Sequence, residues 1–467
     1  MTKARLDGLL LLLLGSLVFI SLGAVLENSF RVTMVDFKVL YYPARCLIQH
    51  GDPYNESEVA GNTRSDGGDP QLATATDRQV VTRYLYPPTT FPLTVPFAML
   101  PFKLAHILWM VLTMGSFVLA SYLIWNLGAS YAPVLSGILV GFLLANSELL
   151  VVTGNAAGIA ISLCVVAVWC FIRERLVPVG VLCLAISLMV KPHDSSLVWL
   201  FFLLAGGAFT KRALQALLAA VALSLPAVLW VWYVAPHWVR ELGANLAAFS
   251  VHGGMNDPGL ASAGAHGLGM LVSLQAVFGV FWDDPRFYNP ASYLVCAPLL
   301  AVWAYITLRS RTSPAKVWLA LAAVAALSML PVYHRQLDTK LLLLTVPACA
   351  MLWAEGGLIG RLALLMNTAG FVLTGELPWA IILGLISYIQ SHARGLSEYL
   401  LRIAQVLPVP LALLAMAVFY LWVYARRCSA QISPEPAKGQ AEGLGHFWFY
   451  RRPVLKGHGF SRAAKLQ

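Results

Sequence analysis

The stretch GLLLLLLGSLVFISLGAVL, Gly8 to Leu26, carries no charged side chain and follows Lys3 and Arg5. Apolar residues run on without the alternation of a half-buried strand. In helical form ~20 of them cross the ~30 Å hydrocarbon core of a bilayer. Lipid offers no partner to an open backbone, so the run reads as helix. It is long for the hydrophobic part of a signal peptide and lacks a clear small-x-small cleavage site. It therefore reads as a retained first membrane helix.

The same pattern recurs along the chain. Further apolar runs lie at roughly 104–127, 131–147, 156–172, 178–190, 195–209, 213–235, 291–308, 315–331, 337–354, 357–375 and 405–425, which predicts about twelve spans. Composition agrees: of 467 residues, 59% are hydrophobic and 12% charged, and the mean hydropathy is +0.71. A soluble chain carries about twice that share of charge. The fold class is all-α, a polytopic helical membrane protein.

Orientation follows from the basic residues at helix ends. Arg173/Arg175, Lys211/Arg212, Arg309/Arg311 and Arg426/Arg427 fall on one side of the predicted membrane, which places both termini in the cytoplasm. Keeping that parity requires segments 88–101, 265–281 and 377–392 to be peripheral or re-entrant. The chain then divides into a transmembrane domain, 1–425, and a basic cytoplasmic tail, 426–467.

The net charge of +10 does not point to nucleic acid. Lys and Arg gather beside helix ends and in the tail, where eight basic residues and two acids surround His446-Phe447-Trp448-Phe449-Tyr450. That is the pattern of a membrane surface, with lipid headgroups as the expected partner. Six of the seven cysteines lie in or beside spans and only Cys46 sits in a polar loop, so no disulfide framework is indicated. No phosphate-binding P-loop, Rossmann glycine triplet or zinc-type cysteine pair occurs.

Charge not needed for spanning concentrates in the first loop, 27–87, with eight of the 22 acidic and six of the 32 basic residues. It contains Val35-Asp36-Phe37-Lys38-Val39-Leu40-Tyr41-Tyr42-Pro43-Ala44, then His50-Gly51-Asp52-Pro53-Tyr54, and ends in Tyr84-Leu85-Tyr86-Pro87-Pro88. Asp36 stands ten residues past the first span, where a carboxylate at an external cavity can serve as general base. On residue type alone it reads as a solvated loop carboxylate. Asp52, before Pro53, also reads as a plain turn residue.

The order of Asp36, Tyr41-Tyr42-x-Ala44-x-x-Leu47, Gly51-x-Pro53-Tyr54 and Tyr86-Pro87-Pro88 resembles the first external loop of glycosyltransferase family 87, polyprenol-phosphate-mannose-dependent mannosyltransferases of GT-C architecture. Thr153-Gly154-Asn155, Met189-Val190-Lys191-Pro192-His193 and Tyr333-His334-Arg335-Gln336-Leu337-Asp338 extend the likeness as an ordered series. The resemblance implies a GT-C-like fold and transfer of a hexose, mannose in that family, from a polyprenyl-phosphate donor. The acceptor would be a lipid-linked or glycan group on the outer face of a bacterial inner membrane, and the anomeric carbon would invert.

In that reading Asp36 is the catalytic base, and Lys191, His334 and Arg335 hold the donor phosphate. Asn155, Tyr42, Asp52 and Tyr86 contact sugar or acceptor. Each has a plainer alternative. Lys191 can snorkel to headgroups, Asn155 can cap a helix, and the tyrosines can sit in an interfacial belt.

No cofactor is expected. The loop Pro236 to Gly264 holds His237, His252 and Asp257 but no metal-ligand spacing, so no metal site is assigned and the loop is read as shaping an acceptor cleft. A transporter or flippase of a lipid or glycolipid is the alternative from another class, with the helix break at Lys191-Pro192 in its favour. No internal repeat accompanies that break.

Overall fold

The computed structural model describes residues 2–30, 33–65, 80–259, 271–310, 313–390 and 395–429, so the Gly- and Asp-rich part of the first loop and residues 430–467 of the basic tail lie outside the described residues. Every regular element among them is a helix. The chain begins with α1 (Lys3–Ser29), α2 (Val35–Ile48), α3 (Glu56–Ser65), α4 (Phe91–Ala98) and the long α5 (Phe102–Gly128). Next come α6 (Pro133–Leu144), α7 (Leu149–Thr153), α8 (Ala157–Arg173), α9 (Val177–Val190) and α10 (Pro192–Leu204). They are followed by α11 (Gly207–Val234), α12 (Trp238–Phe249), α13 (Leu274–Phe281), α14 (Pro285–Arg309) and α15 (Pro314–Leu327). A 3-10 stretch, Gln336–Thr345, runs straight into α16 (Val346–Glu355), and α17 (Gly357–Thr374), α18 (Glu376–Gln390), α19 (Leu396–Val406) and α20 (Pro408–Ser429) follow.

Among the described residues, eight helical segments are long and apolar enough to cross a membrane: α1, α5, α6 with α7, α11, α14, Gln336–Glu355, α17 and α20. The protein is a polytopic helical membrane protein. The expected count of about twelve is larger than these eight, because α8, α9 and α15 are shorter apolar helices and α10 is shorter still. The reason is local. Gly154-Asn155 opens α8 late, and Lys191-Pro192 divides α9 from α10, so polar breaks interrupt otherwise continuous apolar sequence. Segment 377–392, expected to be peripheral or re-entrant, largely coincides with the apolar α18, which exposes Leu377, Ile381, Leu385 and Tyr388.

Burial sorts the helices. From Lys316 to Leu327 every residue of α15 is buried, as is the whole 3-10 stretch, so these form the centre of the bundle. On α1, by contrast, Leu10, Leu13, Leu14 and Leu17 are exposed, as expected of a helix facing lipid. α1 meets α6 through glycine. A methyl group added at Gly15 would lie 2.4 Å from Gly141 O, and one at Gly137 would lie 2.3 Å from Gly8 O. Small residues let two backbones approach closely, which is how helices associate where no hydrophobic effect drives them.

Basic residues at the ends of α8, α14 and α20 and at the start of α11, among them Arg173, Arg309, Arg427 and Arg212, lie at one end of the bundle. Arg212 Nη1 donates to Phe171 O at 2.7 Å, its Nη2 lies 3.2 Å from Glu174 Oε1, and Ser310 bonds Tyr424 Oη at 3.1 Å. The polar breaks at Gly154-Asn155 and Lys191-Pro192 lie at the opposite ends of α8 and α9.

Candidate functional site

The first wall of the site is built where α2 meets the start of α8. Met34, at φ 53°, donates its backbone N–H to Val152 O at 2.7 Å and so fixes where α2 begins. Phe37 stacks on Trp109 with centroids 4.7 Å apart, and the Trp109 indole donates to Gly154 O at 2.9 Å. Gly154 has φ +65°, and a Cβ there would lie 2.5 Å from Met34 Sδ and 2.8 Å from Phe37 Cβ, so only glycine fits. The turn places Asn155 beside the first turn of α2. Asn155 Oδ1 accepts from Ala157 N at 2.8 Å, a helix-capping bond, while Nδ2 donates to Asp36 Oδ2 at 2.7 Å. The cap and the contact to Asp36 are one arrangement.

The second wall comes from the break between α9 and α10 and from the segment before the 3-10 stretch. Lys191 adopts φ −142°, ψ 79° between the two helices, with Pro192 starting α10 where its missing N–H costs nothing. The lysine is 6% exposed and its Nζ is hydrogen-bonded to Asp338 Oδ1, so it does not snorkel to the surface. Asp338 Oδ2 accepts from Arg335 N at 2.8 Å, which caps the 3-10 stretch. The Arg335 guanidinium donates to Tyr333 Oη and to Asn256 Oδ1, the latter at 2.9 Å. A short antiparallel bridge, Leu271 with Arg335, and Val272 N donating to His334 O at 3.0 Å hold this segment in place.

Electrostatics keep both cations charged. Burial opposes the Lys191 ammonium, but Asp194 and Asp338 outweigh it and its pKa is raised. Burial likewise opposes Arg335, and Tyr333, Asp36 and Asp338 more than offset it. The His334 imidazole is lowered by burial against the pull of Asp338.

Between the walls lies a cavity of about 520 Å³. Asp36, Asn155, Lys191, Arg335 and Tyr86 all line it, so five residues singled out in the sequence converge on one space. Three others do not. His334 is buried behind the wall, 1% exposed; Tyr42 packs flat on Phe102, 6.0 Å between centroids; and Asp52 Oδ1 accepts from Tyr54 N in a turn at 2.8 Å. Sequence reading missed His193, Asp338, Tyr333 and Asn256 as lining residues. Asp338 carried a signal, its place three residues after Arg335 as a capping partner. Asn256 had only its place in the loop read as shaping a cleft. Leu246 and Phe249 of α12 give the cavity an apolar side.

A helical membrane protein with a carboxylate, a buried lysine and a half-buried arginine on one cavity is built for polar chemistry at a membrane. Residues 84–332 match the model of glycosyltransferase family 87. The chain belongs to that family and is a membrane glycosyltransferase. The matched stretch contains Asn155 and Lys191, whereas Asp36 and Arg335 lie outside it. No curated protein and no solved structure matches the chain.

Proposed function

We propose that the protein transfers a hexose, most simply mannose, from a polyprenyl-phosphate donor to a glycolipid or glycan acceptor, in a GT-C-like fold with about twelve membrane segments. The cavity would face outward in a bacterial inner membrane with both termini cytoplasmic. The observation that carries the reading is the pairing, across one cavity, of an Asp36 oriented by Asn155 with Lys191 and Arg335. In the transfer, the acceptor oxygen attacks the anomeric carbon and its proton passes to Asp36. The bond from that carbon to phosphate oxygen breaks, and its electron pair leaves on the phosphate. A phosphate needs no proton to depart, only cations to hold its charge, and Lys191 and Arg335 supply them.

Asp36 suits the base role better than Asp338. Asp338 has both oxygens taken, by Lys191 and by Arg335 N. Asp36 has one taken, by Asn155, and no protein donor among the described residues takes Oδ1. The apolar side formed by Leu246 and Phe249 suits a lipid-linked substrate. Gathering of the basic residues at the far end of the bundle supports the outward orientation.

The test is comparison by mass of glycolipids from a deletion strain and its parent, with complementation by wild type and by Asp36→Asn. A missing hexose restored by wild type alone supports the reading. An unchanged glycolipid profile, together with substrate uptake into liposomes holding the protein, would favour the transporter instead.

A further inference from the structure

Behind the Lys191 wall, His193 and Asp194 at the start of α10 meet His334. One ligand atom from each lies within 4.8 Å of the other two. Asp194 Oδ1 is 3.6 Å from His193 Nε2 and 3.8 Å from His334 Nε2. Among the described residues none of these atoms has a hydrogen-bond partner of normal geometry, although Asp194 is 2% and His334 1% exposed. Buried polar atoms in a folded protein are satisfied as a rule, so three facing one another call for a shared partner.

The tautomer of His334 sharpens the point. Its Nδ1 lies 3.1 Å from Val332 O, and a carbonyl can only accept, so Nδ1 carries the proton and Nε2 presents a lone pair. That lone pair faces the lone pairs of Asp194. A metal-ligating imidazole usually donates its other ring N–H to a backbone carbonyl or carboxylate, and His334 Nδ1 is held in that way by Val332 O. The ammonium of Lys191 bonds Asp338 and stands 3.6 Å from Asp194 Oδ2, so Asp194 Oδ1 is left to face the two imidazoles. Ligands of a tetrahedral ion with bonds near 2.0–2.1 Å lie about 3.3 Å apart, so small side-chain shifts close the triad.

We infer that His193, Asp194 and His334 form a binding site for one divalent transition cation, Zn²⁺ or Mn²⁺. Two imidazoles and one carboxylate suit such ions better than Mg²⁺ or Ca²⁺, which take oxygen ligands. Spacing along the chain gave no sign of the site, because His334 comes from a distant segment. A second group, His252, Asp257 and Asp283, is not of this kind: His252 is 60% exposed and Asp257 accepts from Gly253 N, Gly259 N and Tyr288 Oη. His193 lines the cavity as well as the triad. On the reading proposed above, the cation would add to the charge that holds the donor phosphate. Metal binding itself does not depend on that reading.

The experiment uses full-length protein in lipid nanodiscs, stripped with chelator and titrated with Zn²⁺ alone, then Mn²⁺ alone, with Mg²⁺ as comparison. Binding is followed by calorimetry and elemental analysis, and Co²⁺ is substituted to read ligation from visible absorption. The expected result is about one equivalent of Zn²⁺ or Mn²⁺, weakened 10- to 100-fold or more in His193→Ala and Asp194→Asn and unchanged in His252→Ala. His193 is the least buried of the three, so its variant stays informative if Asp194→Asn folds poorly. No binding by wild type, equal binding by His193→Ala, or loss in His252→Ala overturns the inference. Sugar transfer is scored separately, so bound metal without transfer counts against the proposed function and transfer without metal counts against the site.

Discussion

Asn155 Nδ2 donates to Asp36 Oδ2 at 2.7 Å while the same side chain caps α8 through Ala157 N. One residue therefore ties the start of the apolar helix α8 to the carboxylate on the cavity. If Asp36 is the base, Asp36→Asn keeps the shape and removes the proton acceptor, and transfer should fall roughly 10²- to 10⁴-fold at unchanged expression. Initial rates in membranes given a polyprenyl-phosphate sugar check this, and a wild-type rate sinks the role.

Asn155→Ala removes a hydrogen bond to a charged group, worth about 1.5–3 kcal/mol. The expected loss is roughly 10- to 100-fold in kcat/KM, carried more by kcat than by KM, with the pH profile of the residual rate keeping its form. A variant that loses stability while its kcat stays intact would reduce Asn155 to a cap.

Gly154→Ala should be as damaging without touching a polar group. Its Cβ would overlap Met34 and Phe37, and its φ of +65° is strained for alanine, a cost of about 1–3 kcal/mol. Thermal midpoints and transfer rates should both drop. Normal behaviour in both would contradict the close contact.

Lys191→Met leaves Asp338 buried without its ammonium and should destabilise by about 3–5 kcal/mol. Combined with Asp338→Leu, the total should be at least 1 kcal/mol less than the two single changes added together, because the partners share one interaction. Denaturation of purified protein in detergent measures the coupling. Strict additivity would mean that the pair is not formed.

Gly15→Leu should loosen α1 from α6, since a Cβ there meets Gly141 O, and overpacking costs about 1–3 kcal/mol. Gly115→Ala on α5, which has nothing within 4 Å, is the control and should be neutral or slightly stabilising. Equal midpoints for the two would remove the glycine contact from the account.

Cys46 should resist maleimide in the native protein and react after denaturation. Burial, then Glu58 and Asp52, push its thiol from 9.0 up to about 12, so its thiolate fraction near neutral pH is about a thousandfold below that of an ordinary thiol. Mass spectrometry before and after detergent denaturation reads the result, and rapid native labelling would contradict the packing around Gly51 and Asp52.

The class of this protein was legible in the sequence because lipid imposes it: runs such as Gly8 to Leu26 can only be helices there, and their positions agree with the helices observed. Asp36, Asn155, Lys191 and Arg335 were singled out by the order of the motifs around them and, for the charged ones, because an ionisable group at a membrane edge calls for a reason. Tertiary structure decided the rest. It drew those four onto one cavity and set Tyr42 against Phe102. It buried His334 beside Asp194 and put Asp338 between Lys191 and Arg335. These contacts join segments far apart in the chain, and the geometry that makes them, from the left-handed Gly154 to the glycine-lined face of α1, exists only once the helices have packed. Hydropathy records which residues must leave water; only packing decides which of them meet.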